Sequence, residues 1–146
     1  MADIERTASA VWNGELRGGN GQISSTSGVL NDTPYSFATR FEQAHGTNPE
    51  ELIAAAHAAC YSMAFAGTLG RKGYKPQQIE TRAICSLSPQ QPSGFKITKM
   101  RLETRGRAEG IDEETFKQIA QEAEQGCPVS NALRGSLQIE VDASLM

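Results

Sequence analysis

A chain of 146 residues, 38% hydrophobic and 21% charged, has the size and composition of a single globular domain (residues 1–146, no linker) with one real core. Its net charge of −3 excludes a general attraction to nucleic acid or anionic lipid. The N-terminal Met1-Ala-Asp-Ile-Glu-Arg6 has no basic segment followed by an apolar one, so the expected compartment is the cytoplasm. Structural disulfides are unusual there, and the chain's three cysteines become candidates for chemistry.

Residues 8–37 read as a β-meander of three strands, with 8–12 and 22–26 as short strands punctuated by Gly14, Gly18, Gly19, Gly21 and Gly28. Asn31-Asp32-Thr33-Pro34 turns the chain before Tyr35 and Phe37, which are spaced as on a strand. Residues 38–47, with Arg40, Glu42, His45 and Gly46, read as a polar loop that can carry function. A long helix comes next over 48–69: Asn48 is suited to the N-cap, Pro49 to the first helical position, and Glu50 and Glu51 to the positive end of the dipole. Its alanines give high propensity, and Gly70 and Gly73 are available to end it. Glu50, Glu51 and His57 keep the run below the roughly 18 consecutive apolar residues of a membrane span, so it is expected to be buried in protein.

Beyond that helix, Ile79, Thr81, Ala83, Cys85 and Leu87 share one parity of a half-buried strand. Phe95 and Ile97 stand on one face of the next strand but Met100 and Leu102 on the other, which predicts a bulge near Thr98 or Lys99. Asp112 caps a helix with the stripe Phe116, Ile119, Ala120 and Ala123, ending near Gly126. Pro128 then opens a short helix with Cys127 at or beside its N-cap. Leu137, Ile139, Val141 and Ala143 alternate with polar residues in a final strand. This order predicts an α+β domain with helices packed on antiparallel sheet.

The side chains able to carry chemistry are Cys60, Cys127, Arg40, Glu50, His57, His45 and Cys85. Buried cysteines are commonly inert, and Cys85 fits the core parity of its strand. His57 is one helical turn from Cys60 and reads as structural, while His45 reads as solvated. No Cys-x-x-Cys or His-x-x-x-His pair offers a metal site, and no Gly-x-Ser-x-Gly marks a hydrolase. Thiol chemistry needs a thiolate, hence a cation, a helix N-terminus or a strong hydrogen bond. Cys127 has a helix N-terminus, whereas Cys60 in mid-helix needs a charged partner. Arg40 is the nearest good candidate in sequence, and Glu50 is suited to orient its guanidinium. Ten residues place Glu50 about 15 Å from Cys60 along one helix, so an antiparallel helix from a second subunit is the simplest way to bring Glu50 to a thiolate.

The segments Thr39-Arg-Phe-Glu42, Gly46-Thr-Asn-Pro-Glu-Glu-Leu-Ile53, Ala55-Ala-His-Ala-Ala-Cys60 and Gly126-Cys-Pro-Val-Ser130 resemble the OsmC/Ohr family of thiol-dependent peroxidases over nearly the whole chain. The Arg-Phe-Glu segment ahead of the helix favours the OsmC branch. The resemblance implies an intertwined homodimer with antiparallel sheets wrapped around long central helices and a site at each subunit interface. Cys60 matches the reactive cysteine and Cys127 the resolving one, and Arg40 and Glu50 match the activating pair. It implies reduction of organic hydroperoxides, and of hydrogen peroxide less well, through a Cys60 sulfenate and a Cys60–Cys127 disulfide. A dithiol of the lipoyl type would serve as reductant, and no metal, haem or flavin is required. By helix-terminus reasoning alone Cys127 would be the more acidic thiol; the resemblance assigns first attack to Cys60. The competing reading is a non-catalytic stress protein that uses the same fold to bind a small apolar ligand or to sense redox state.

Overall fold

In the computed structural model, which describes all residues 1–146, the element order is β1 (Ala8–Asn13), β2 (Asn20–Ser25), β3 (Thr33–Tyr35), α1 (Phe37–Phe41), α2 (Pro49–Arg71), β4 (Lys75–Pro89), β5 (Phe95–Glu109), α3 (Glu113–Gln125), α4 (Pro128–Leu133) and β6 (Gln138–Leu145). The chain divides into two compact units, Met1–Leu52 and Ile53–Met146. Their boundary falls within the continuous helix α2 and not in a linker.

The first unit is the expected meander, an antiparallel sheet in the order β1-β2-β3. Gly21 lies at its centre, opposite both Trp12 and Tyr35. A Cβ there would collide with the Tyr35 ring and come within 2.7 Å of Trp12 Cε3, so only glycine lets the two rings close to 5.5 Å over the strand. The stretch after β3 is not the plain loop expected. Ser36 and Thr39 form a reciprocal capping box, the Ser36 hydroxyl accepting from the Thr39 amide and the Thr39 hydroxyl from the Ser36 amide, and it starts the short helix α1.

The second unit carries a three-stranded sheet in the order β4-β5-β6. β4 and β5 form a long antiparallel hairpin, and Ser86 pairs with Lys99 while Leu87 pairs with Ile97, leaving Thr98 as the extra residue. This bulge is where the parity of β5 changes, as its sequence predicts. β6 differs from expectation: it lies parallel to β5, so this sheet is mixed. The reason is the connection, since α3 and α4 carry the chain back across the sheet before β6 begins, and a crossover of that length delivers a parallel strand.

The core of this unit joins Tyr61, Phe65 and Leu69 of α2, Met100 and Leu102 of β5, and Phe116, Ile119, Ala120 and Ala123 of α3. Phe65 and Phe116 meet at 4.8 Å between ring centroids. The Tyr61 hydroxyl donates to the Ala120 carbonyl at 2.7 Å, which satisfies the one polar atom of that side chain. Helix α2 is long and apolar enough to cross a membrane by length and composition alone, and its Tyr61, Phe65 and Leu69 serve the protein core. Only one face is covered within the chain. His57, Tyr61, Phe65, Thr68 and Leu69 are buried, whereas Ala55, Ala56, Ala59, Met63 and Gly67 on the opposite face are exposed. A single chain packs one side of this helix.

Candidate active site

The site residues fall into two pairs, one in each unit. In the first unit Arg40 stands in the last turn of α1, and Glu50 opens α2. Asn48 ties these two helices together: its side-chain amide donates to the Thr39 carbonyl at 3.0 Å, and its Oδ1 caps the Glu51 amide at 2.8 Å. The guanidinium is thereby held against the carboxylate. Arg40 Nη2 donates to Glu50 Oε1 at 2.8 Å, and Nε lies 3.1 and 3.2 Å from the two carboxylate oxygens. This is the forked geometry in which arginine is most strongly oriented. Glu50 is buried, but the Arg40 side chain keeps 38% of its surface, so the cation retains donors for another group. Arg40 also lies 5.1 Å from the centroid of the Phe41 ring. It borders a cavity of about 220 Å³ lined by Trp12, Leu16, Tyr35, Phe37 and Phe41.

In the second unit the two cysteines meet. Cys127 is fully buried as the N-cap of α4, with Pro128 next in the first turn. Its thiol donates to Cys60 Sγ at 3.3 Å, and its sulfur accepts from the Ser130 amide at 3.5 Å. Cys60 is half-buried. At 3.6 residues per turn it lies at the border between the buried and exposed faces of α2. Burial pushes the Cys60 thiol up from its usual range; the Val129 amide opposes this, and Cys127 adds to it. The groups that act on this sulfur include no cation. The thiol unit brings two sulfurs together but brings no cation to Cys60.

His57 is also buried here, with Nε2 2.6 Å from Ser130 Oγ. Desolvation lowers its pKa, partly offset by the Glu124 carboxylate. Glu124 is buried in turn and receives Arg134 Nη1 at 2.6 Å. His45 is exposed, and Cys85 packs beside the core. Neither joins a site pair. Ser130 and Glu124 are not candidates on sequence; the only available signal is that Ser130 stands one helical turn after Cys127.

An α+β chain holding two unbridged cysteines side by side at a helix junction, with a separate oriented arginine, is of the class of thiol-based redox proteins. Residues 42–142 match the family described as OsmC-like protein. The chain is 47% identical over 137 residues to peroxiredoxin OsmC of Escherichia coli, covering 94% of this chain and 95% of that one. It is 32% identical over 133 residues to the organic hydroperoxide resistance protein OhrB of Bacillus subtilis, covering 86% and 91%. Among solved structures, that OhrB superposes with a TM-score of 0.71 at 29% identity, covering 96% of this chain and 98% of that one. An organic hydroperoxide resistance protein from Elizabethkingia anophelis gives 0.78 at 25% identity over the whole of both chains. The protein belongs to the OsmC family.

Proposed function

We propose that this protein is a cysteine-based peroxidase that reduces organic hydroperoxides, with residues 1–146 acting as one OsmC-like domain. The observation that carries the reading is the 3.3 Å approach of Cys60 and Cys127, close enough for an oxidised Cys60 to be captured by its neighbour. The names of its relatives, a peroxiredoxin and organic hydroperoxide resistance proteins, support the same substrate class.

In the reaction, the Cys60 thiolate attacks the O–O bond, an alcohol leaves and Cys60 becomes a sulfenic acid. Cys127 then displaces the sulfenic oxygen as water and forms the disulfide, and an external dithiol, of lipoyl type by family resemblance, restores both thiols. Arg40 supplies the cation that the thiol unit lacks: it holds the thiolate and the polarised peroxide, with Glu50 fixing its plane. The aromatic cavity beside Arg40 suits an organic substituent better than hydrogen peroxide.

The protein acts as a two-fold homodimer in this reading. Helix rise separates Glu50 from Cys60 by about 15 Å on one α2, so the activating pair reaches the thiol of the partner subunit. The face formed by Ala55, Ala56, Ala59, Met63 and Gly67 allows a second helix to approach closely, and Cys60 stands at its border. The compartment consistent with reduced cysteines is the cytoplasm.

Purified protein is expected to consume cumene hydroperoxide only with a dithiol present, and Cys60→Ser to abolish consumption. Undiminished turnover by that variant would sink the assignment.

A further inference from the structure

Two buried polar residues beside the cysteines have no part in the peroxidase reaction. His57 stands one turn before Cys60 on α2, and Ser130 one turn after Cys127 on α4. The two helices therefore meet in two rungs: Cys60 with Cys127 at 3.3 Å, and His57 Nε2 with Ser130 Oγ at 2.6 Å. Both His57 and Ser130 are fully buried. Desolvating an imidazole and a hydroxyl is costly, and apolar side chains would fill the same space more cheaply. The ring makes this bond at the further cost of leaving its Nδ1 buried without a partner. What the pair offers over an apolar contact is direction.

Ser130 turns that direction toward the thiol. Its hydroxyl is fixed by His57 while its own amide donates to Cys127 Sγ. Helix α4 has only six residues, too few to be stable by itself. Its far end is held by Arg134, which reaches the side chain and carbonyl of Glu124. Its near end, where Cys127 sits, is held by Ser130.

We propose that His57 and Ser130 are positioning residues for disulfide closure, keeping Cys127 aimed at Cys60 while the oxidised sulfur waits. The inference rests on the peroxidase reading for its physiological setting. In the step concerned, Cys127 sulfur bonds to Cys60 sulfur, the Cys60 S–O bond breaks, and the oxygen leaves as water with the Cys127 thiol proton. The sulfurs close from 3.3 Å to about 2.05 Å, a movement that a frayed α4 would not direct. A second hydroperoxide would then take Cys60 to the sulfinic acid.

The test measures hydroperoxide loss and disulfide formation in the same sample, by rapid quench, alkylation and intact mass, after one equivalent of cumene hydroperoxide. The variants are Ser130→Ala, His57→Gln and the double His57→Leu/Ser130→Ala. Removing both polar partners relieves the unsatisfied group and restores folding stability, so the double variant separates positioning from stability. Expected is a fall of about tenfold or more in the ratio of closure to hydroperoxide loss for Ser130→Ala and the double variant. Sulfinic acid should accumulate under excess hydroperoxide. His57→Gln, whose amide can still donate to Ser130, should recover much of the ratio. Closure at the wild-type ratio in the stably folded double variant overturns the proposal. The same variants are also oxidised with glutathione disulfide, where Cys127 must expel glutathione thiol from Cys60. The deficit should persist there, so this arm tests the rung even if the wild-type protein consumes no hydroperoxide, a result that would sink the peroxidase reading alone.

Discussion

The arginine pair of residues 1–52 and the thiol pair of residues 53–146 are built on opposite principles. Arg40 and Glu50 are joined by charge, at 2.8 Å, with one partner buried and the other open to a third group. Cys60 and Cys127 are joined by a weak thiol contact at the edge of the core, where partial burial raises the Cys60 pKa. The first pair has a cation without a nucleophile, and the second a nucleophile without a cation. In the proposed reaction, closure is a matter of packing within one unit, whereas attack on a peroxide calls for charge brought to a thiol that its own surroundings discourage from ionising.

The largest effect should come from cutting that supply of charge. Arg40→Met removes the only cation assigned to the thiolate, and loss of one such donor costs about 10²-fold or more in the rate of hydroperoxide consumption. Alkylation of Cys60 by iodoacetamide as a function of pH is the direct readout: its midpoint should move upward in Arg40→Met, and less far in Glu50→Gln, where the guanidinium remains but is poorly oriented. An unchanged midpoint in Arg40→Met would show that the two pairs do not work together.

Removing the other half of the thiol pair should spare the first chemical event. Cys127→Ser is expected to reduce one equivalent of hydroperoxide and then stop, or to depend on a small external thiol, with Cys60 passing to the sulfinic acid under excess substrate. Sustained turnover at the wild-type rate with dihydrolipoamide would contradict a resolving role.

Much of this arrangement is legible in local sequence, and the limits have physical causes. The Asn48 cap, the α3 stripe and the bulge at Thr98 are written in neighbouring residues, and so is the Cys127-Pro128 helix start. Helix α1 escapes a reading by periodicity because its signal is a capping box within a polar stretch, with no apolar stripe to mark it. The parallel placement of β6 depends on how α3 and α4 cross the sheet, which alternation within β6 cannot encode. Arg40 and Cys60 stand out because a thiolate needs a cation. The His57–Ser130 rung is invisible because its partners lie 73 residues apart, and nothing local distinguishes a paired buried histidine from an inert one.

That histidine gives the smallest predicted effect and a clear sign. Burial lowers the His57 pKa below its usual 6.5, while Glu124 on α3 pulls the other way. Below about 6.5 the unfolded chain accepts a proton that the folded protein resists, so the contribution of neutral His57 to stability is complete above that pH. It declines as pH falls toward the folded pKa, by at most about 1.4 kcal/mol per pH unit for one proton. Urea unfolding between pH 7.5 and 5 should show the decline, and His57→Gln should flatten it. Glu124→Gln should steepen it, since the one carboxylate favouring imidazolium is gone. A wild-type stability indifferent to pH over that interval would mean that the ring takes up its proton in place, and the His57–Ser130 rung would then have to hold a cation as readily as a neutral ring.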